Sequence, residues 1–260
     1  MRLPRLFGAI VSISLRRELA HRANLIFQML LTVVDIASGL AALRIVYTQT
    51  DTLAGWTLAE AVVLLGTYQV VSGVLSTFVE PNLTWFGNQV TSGKLDSLLL
   101  KPVNSAFLAT LGTCAPLGLS QVALGIAVVA IGISDLGAGP TASSIAGWLV
   151  MLGVGIAITW VSRVLVASLS FWAPQTQLDM VYEALWQFGR YPVSIYRQPL
   201  RFVLTWVLPV AFISTFPARA LTGGARVELL AGGAVVGIGA VVVVRLVWDA
   251  GLRRYTSATS

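Results

Sequence analysis

"VTSGKLDSLLLKPVNSAF", Val90 to Phe107, holds both lysines of the chain, Lys94 and Lys101, and lies between two apolar runs long enough to cross a bilayer. Its own apolar cluster, Leu95, Leu98, Leu99 and Leu100, ends at Pro102. That is far short of the roughly 20 apolar residues needed to span a ~30 Å hydrocarbon core. An amphipathic stretch between two spans is a loop at a membrane surface, and its charge names the surface. Short loops rich in Lys and Arg stay in the cytoplasm.

The flanks establish the solvent. Of 260 residues, 56% are hydrophobic and only 11% charged, against roughly 25% charged in an ordinary soluble domain. With a mean hydropathy of +0.82, the chain is expected to be dissolved in membrane lipid and to have no nucleic-acid partner. One cysteine, Cys114, excludes an internal disulfide and a cysteine metal cage, and one histidine, His21, excludes a histidine cluster. No metal, cofactor or catalytic group is expected in this chain.

Five stretches have the length and composition of spans: Leu25 to Tyr47, Trp56 to Val79, Ala106 to Ile133, Ile145 to Trp172 and Leu229 to Trp248. Arg2, Arg5, Arg16, Arg17 and Arg22 precede the first, Lys94 and Lys101 follow the second, and Arg253 and Arg254 follow the last. The connections Thr48 to Gly55 and Ser134 to Ser144 carry only Asp51 and Asp135. Both termini and the Val90–Phe107 segment therefore face the cytoplasm, and the number of crossings is even. The expected fold is all-α, one transmembrane domain over residues 1–260 with six transmembrane helices.

The remaining crossing falls in residues 173–226, marked by Pro174, Pro192, Pro199, Pro209 and Pro217. Hydropathy alone selects Phe202 to Phe216. A polar helix from Gln177 to Tyr191, followed by a re-entrant segment broken at Pro192, Pro199, Pro209 and Pro217, also satisfies the count and is the preferred reading. Irregular backbone at membrane depth is tolerated where protein buries it or a cavity adjoins it. This arrangement sets Arg190, Arg197 and Arg201 toward the outside, against the charge rule.

At the N-terminus, Arg16, Arg17 and Glu18 interrupt the first twenty residues before a signal core develops, so residues 1–22 are expected to stay. Leu3, Leu6, Phe7, Ile10 and Ile13 share one side of a helical wheel, with Arg2, Arg5, Ser12 and Arg16 opposite. This pattern fits an amphipathic helix lying in the interface.

In the cytoplasmic loop, residues 80–105, Pro81 suits a first helical position and Leu83, Phe86 and Val90 recur on one face before Gly93. Such short apolar faces can rest on the bilayer or dock a cytoplasmic partner by a helix-in-groove contact. Spacing leaves both open.

"SGKLDSLLLKPVNSAF" resembles the cytoplasmic Gly-x-Leu-Asp-x-x-Leu-Leu-x-Pro-Val segment of type-2 ABC exporter permeases, in the six-span branch lacking a nucleotide domain. "RYPVSIYRQPLRFVLTWVLPVAFISTFPARALTG", Arg190 to Gly223, and the ending "WDAGLRRYTSATS" are similar to the same branch. The resemblance implies coupling to a separate ATP-binding subunit in two copies, with ATP and Mg held there. It also implies a second permease chain, identical or homologous, and a bacterial plasma (inner) membrane location. The implied coupling residues are Gly93, Leu95, Asp96, Leu99, Pro102 and Val103, to which the apolar reading adds Leu98. The substrate would be exported from the cytoplasm and amphipathic, drug-like or lipid-like.

The residues independently exclude self-powered transport. A phosphate-binding loop needs Gly-x-x-x-x-Gly-Lys-Ser/Thr, whereas Gly93-Lys94 has Asn88 at the first glycine position and Leu95 after it. Asn82-Leu83-Thr84 matches a glycosylation acceptor, a chance match on a cytoplasmic loop.

Charged groups inside spans are expensive and therefore informative. Asp35 and Arg163 lie about nine to ten residues, roughly 14 Å, from the cytoplasmic ends of their spans, so they are expected to be able to pair, with Asp179 and Glu183 competing for Arg163. Arg44 and Glu60 match similarly near the outer surface. Gly233 and Gly237 in the last span and Gly153 and Gly155 in the fourth are expected to allow close packing within the chain. Trp85, Trp160, Trp186 and Trp206 fit either an apolar or cationic path or the interfacial aromatic belt.

The alternative function is a self-contained six-span channel or secondary transporter. It would show paired broken helices at matching positions, whereas the irregularity occurs once, near the C-terminus. An intramembrane enzyme lacks a catalytic set.

Overall fold

The computed structural model describes residues 8, 11–16, 18, 22–83, 85, 113–137, 139–169, 178–223 and 227–254. Helix occupies most of them, with no strand among them beyond the single Leu53–Trp56 bridge. The main helices are α1 (Arg22–Tyr47), α2 (Leu58–Phe78), α3 (Gly118–Ser134), α4 (Ala142–Ser168), α5 (Leu178–Trp186), α6 (Thr215–Thr222) and α7 (Val227–Arg254). The all-α expectation is met.

Helices α1, α2 and α4 are long and apolar enough to cross a membrane. Helix α3 and the Ala231–Val247 part of α7 are apolar but shorter, and Leu200–Val207 with Val210–Thr222 forms a pair bent by 67°. Against the six expected spans, the described residues therefore contain three of full length, or four if the bent pair counts as one. The shortfall at the third has a local cause. Its helix starts at Gly118, just after Pro116, rather than at Ala106, and residues 106–112 lie outside the described residues.

Other boundaries move for similar reasons. Trp56 is excluded from α2 because it exchanges backbone hydrogen bonds with Leu53 across a tight turn. In that turn Ala54 and Gly55 take φ of 51° and 79°, a conformation that glycine adopts freely. Thr57 then caps α2 with a reciprocal pair: its hydroxyl accepts from the Glu60 N–H, and the Glu60 carboxylate accepts from the Thr57 N–H at 2.9 Å. The Thr-x-x-Glu spacing is the sequence sign of such a box. Thr141 caps α4 one turn earlier than hydropathy suggested. The expected polar helix from Gln177 materialises as α5, continued by a tighter turn Gln187–Arg190.

At the N-terminus, residues 11–16 are helical, with Ile13 exposed and Ser14 buried. The Glu18 carboxylate accepts from the Leu117 N–H at 2.7 Å. The rest of the proposed interfacial face lies outside the described residues.

Helix α2 is the centre of the bundle. The most apolar window of α2 is 72% buried, compared with 11% for α1. What lets α2 be buried is a glycine seam with α3. Gly66 and Gly73 of α2 face Gly118, Gly125 and Gly132 of α3, and a Cβ added at Gly66 would lie 2.7 Å from the Val129 nitrogen. One at Gly125 would lie 2.8 Å from the Val70 nitrogen. The seven-residue spacing returns each glycine to the same face every two turns, so the backbones touch along the whole pair. Around this pair, Tyr68, Val71 and Leu75 pack with Leu152, Val164, Trp186, Val210 and Ile213.

The glycines singled out from the sequence have mixed fates. Gly155 lies against the Phe212 carbonyl, and a Cβ at Gly233 would meet Val154 at 3.0 Å. Gly237 has only ordinary contact with Ile158, and Gly153 has nothing within 4 Å.

This contrast is testable. Gly125→Ala forces a methyl into backbone and is expected to cost about 1–3 kcal/mol, the range for overpacking, lowering the thermal midpoint of the detergent-purified protein. Gly153→Ala, in open space, should leave the midpoint unchanged or raise it through helix propensity, worth up to ~1 kcal/mol. The opposite order would contradict the seam.

Candidate functional site

Three polar stations stand along α2 and just past its end, at residues 60, 69 and 80. They span roughly 30 Å at 1.5 Å per residue, about the thickness of a hydrocarbon core.

The first is at the Leu58 end. Glu60, already committed to the cap, also accepts from the Arg219 guanidinium at 3.1 Å. Arg219 donates to the Gly55 carbonyl at 2.8 Å and lies 3.9 Å over the Trp56 ring. Trp56 is buried, donates its indole N–H to Ser194, and accepts at its carbonyl from the Tyr47 hydroxyl. One arginine of α6 thus pins the α1–α2 turn. The expected partner of Glu60, Arg44, is exposed in the last turn of α1, and the ion pair is made by Arg219 instead. Sequence depth placed Arg44 correctly but could not foresee that α6 would return to the same end.

The middle station is built on Asp35. One carboxylate oxygen accepts from Arg190 at 2.7 Å, and the other accepts from the Gln69 amide at 2.9 Å. The Gln69 oxygen accepts in turn from Gln121 at 2.6 Å. The chain Arg190–Asp35–Gln69–Gln121 ties the turn after α5 to α1, α2 and α3. The Arg190 guanidinium also lies 5.5 Å over Tyr68.

The expected Asp35–Arg163 pair is not made. Arg163 belongs to the third station, where it donates to Glu183 at 2.8 Å and faces Glu80 at 3.3 Å. Glu183, one of the two competitors weighed from the sequence, is a partner; the Asp179 side chain lies outside the described residues. The reason is position on α4. Arg163 is five residues from that helix's last residue, Ser168, roughly 8 Å, and Asp35 is deeper. Arg163 also sits 5.0 Å over Trp186 and 5.3 Å over Tyr182. Burial pushes the Glu80 carboxyl above the usual range; Arg163 draws it down and Glu183 raises it again. Arg163 and Arg190 each leave Nε buried without a hydrogen-bond partner among the described residues, as does the Trp160 indole.

Beyond the third station lies a clamp. Asn82, almost fully buried, donates to the Phe78 and Thr113 carbonyls at 2.8 Å and accepts from the Thr113 N–H and hydroxyl at 2.6 and 2.9 Å. The asparagine read as a chance glycosylation match is a structural tie across 31 residues. It holds together the two ends of the segment containing Gly93, Leu95, Asp96, Leu98, Leu99, Pro102 and Val103, all of which lie outside the described residues. Cys114 beside it is buried, which pushes its thiol up and makes it a poor nucleophile.

The prolines of the irregular region have distinct places. Pro192 and Pro217 are buried, Pro199 is exposed before the Leu200–Phe202 turn, and Pro209 stands at the 67° break. Ser214 donates to the Gly189 carbonyl, and the Val193 N–H donates to Thr215, fastening the far arm of the bend to the turn after α5. Among the described residues no group of three or more His, Cys, Asp or Glu could hold a metal.

The separate stations make opposite couplings. Asp35→Asn and Arg190→Met should each cost about 1–3 kcal/mol, less than the roughly 3–5 of a fully buried pair, and the double substitution should recover much of the loss. Asp35→Asn with Arg163→Met should instead be additive. Thermal unfolding of the five variants in one detergent distinguishes the two couplings; non-additivity between positions 35 and 163 would contradict this arrangement.

A family model described as ABC-2 family transporter protein matches residues 33–259. No curated protein and no solved structure matches the chain.

Proposed function

The chain belongs to the ABC-2 transporter family, and on that premise we propose that it is the permease subunit of an ATP-driven exporter. The observation that carries this is the family match over residues 33–259, which includes the whole Val90–Phe107 segment. The Asn82–Thr113 clamp supports a coupling role for that segment. Four hydrogen bonds hold its two ends against the Phe78 end of α2, so a force on the segment would reach the central helix rather than dissipate in a slack loop.

In this reading two copies of a separate ATP-binding subunit hold ATP and Mg and push on Gly93, Leu95, Asp96, Leu98, Leu99, Pro102 and Val103. A second permease chain, identical or homologous, completes the substrate path. The single domain sits in a bacterial plasma membrane with both termini cytoplasmic, and an amphipathic, drug-like or lipid-like molecule leaves the cytoplasm through it.

Six crossings are then α1, α2, α3, α4, α5 with its following turns, and α7. The bent Leu200–Thr222 segment dips in from outside. Two contacts support that course: Arg219 reaches Glu60 and Gly55 at the outer end of α2, while Phe212 rests on Gly155, midway along α4. The Arg190–Asp35 pair eases the conflict with the charge rule, since a paired arginine brings no net charge into the bilayer.

The experiment is co-purification of the ATP-binding subunit with permease variants at equal membrane expression. Leu98→Asp together with Leu99→Asp should abolish recovery of the subunit, because an interface stores its energy in central apolar anchors. Lys94→Ala should change it little, as a rim charge is worth about 0–1 kcal/mol. Undiminished recovery with the double variant would show that the segment only rests on the bilayer.

A further inference from the structure

We propose that the cavity between the two arms of the bent Leu200–Thr222 segment binds an anionic amphiphile, a molecule with a carboxylate or phosphate head on an apolar body. The cavity has a volume of about 700 Å³, within the range of roughly 300–1,000 Å³ typical of small-molecule sites. The two faces of one short segment line it. Arg201 and Thr205 recur at a spacing of four residues, and beside them Phe202 and Trp206 recur at the same spacing, so a polar row and an apolar row run in parallel. Phe216 closes the apolar side from α6, and Gln198 extends the polar side.

Charge chooses the ligand. No aspartate or glutamate is among the lining residues, while two arginines are. Arg219 is already engaged, by Glu60, the Gly55 carbonyl and the Trp56 ring. Arg201 is exposed, and its guanidinium makes no hydrogen bond or ion pair among the described residues. The cavity thus carries one uncommitted cation beside an exposed aromatic pair, Phe202 and Trp206. A cationic amphiphile would be repelled, and a neutral one would leave the guanidinium without a partner; an anionic head satisfies it while the body covers the rings. The site is separate from the ATPase-coupling segment, and the binding test below uses no ATPase, so its outcome is independent of the reading proposed above.

The test uses 11-bromoundecanoate, whose bromine quenches nearby tryptophan, added to the full-length chain purified in maltoside micelles. Saturable quenching is expected, reduced in Trp206→Phe to the part reported by Trp56, the cavity's other tryptophan, and Arg201→Ala should weaken binding about tenfold or more, the worth of one charge-assisted hydrogen bond. Arg201→Lys should retain most of the affinity, and Arg197→Ala, outside the cavity, all of it. The trimethylammonium analogue of the same chain length and inorganic phosphate alone should fail to compete. Undiminished quenching in Trp206→Phe, equal affinity in Arg201→Ala, or equal competition by the cationic analogue or by free phosphate would overturn the proposal. Repeating the titration in phosphatidylglycerol and phosphatidylcholine nanodiscs identifies the source of the head: suppression in the former alone assigns the site to a membrane lipid, and equal binding in both assigns it to an amphiphile from solution.

Discussion

Backbone contact between α2 and α3 is the constraint on which the rest depends. In lipid there is no hydrophobic gain in bringing two apolar helices together, so close approach and dispersion must supply the association. Five glycines at seven-residue intervals remove the Cβ where the two helices come closest, so that backbone meets backbone there. With that close approach, α2 can be enclosed, and α1, α4, α5 and the bent segment pack against its other faces. A helix pair held farther apart would leave Gln69 without Gln121, which reaches it from α3.

The three stations follow from enclosing a helix that carries polar groups. Glu60 and Glu80 mark its two ends, where an arginine from a distant part of the chain meets each. Gln69 lies between them and bonds both Gln121 and Asp35, and Asp35 would be costly to bury charged were Arg190 not against it. Each arginine also covers one or more aromatic rings, so its charge is desolvated onto π faces rather than bare hydrocarbon. Fold and polarity are thus one arrangement. The same arginines that neutralise the carboxylates join the C-terminal half of the chain to the N-terminal half.

That joining gives the permease reading its mechanical content. The Asn82 clamp ties residues 82 and 113 together at one end of α2, Arg219 anchors the bent segment at the other, and the Asp35 network crosses between them. A displacement at the Asn82 end would be carried by a helix gripped at three levels. The cavity in the bent segment lies at the far end of that same helix, beside the Trp56 turn.

Much was legible from residues alone. Composition pointed to lipid as the solvent, and the Val90–Phe107 pattern pointed to the family that the match over residues 33–259 bears out. These features are local or additive, and additive quantities can be summed along a chain. The polar helix after residue 177 and the break at Pro209 were legible for the same reason: proline and periodicity act within a turn. Partnership was not. Asp35 and Arg163 were matched by depth counted from expected helix ends, but α4 ends at Ser168 rather than Trp172, so Arg163 lies shallower than Asp35 and the two side chains belong to different stations. Arg190, whose charge conflicted with the loop rule, was the partner Asp35 needed, and that conflict was its only trace in the sequence. The glycine seam was overlooked because Gly66, Gly73, Gly118, Gly125 and Gly132 are unexceptional until two helices are aligned in register. Which residues meet is decided by the rotation and offset of packed helices, a property of the whole bundle that no single stretch of the sequence contains.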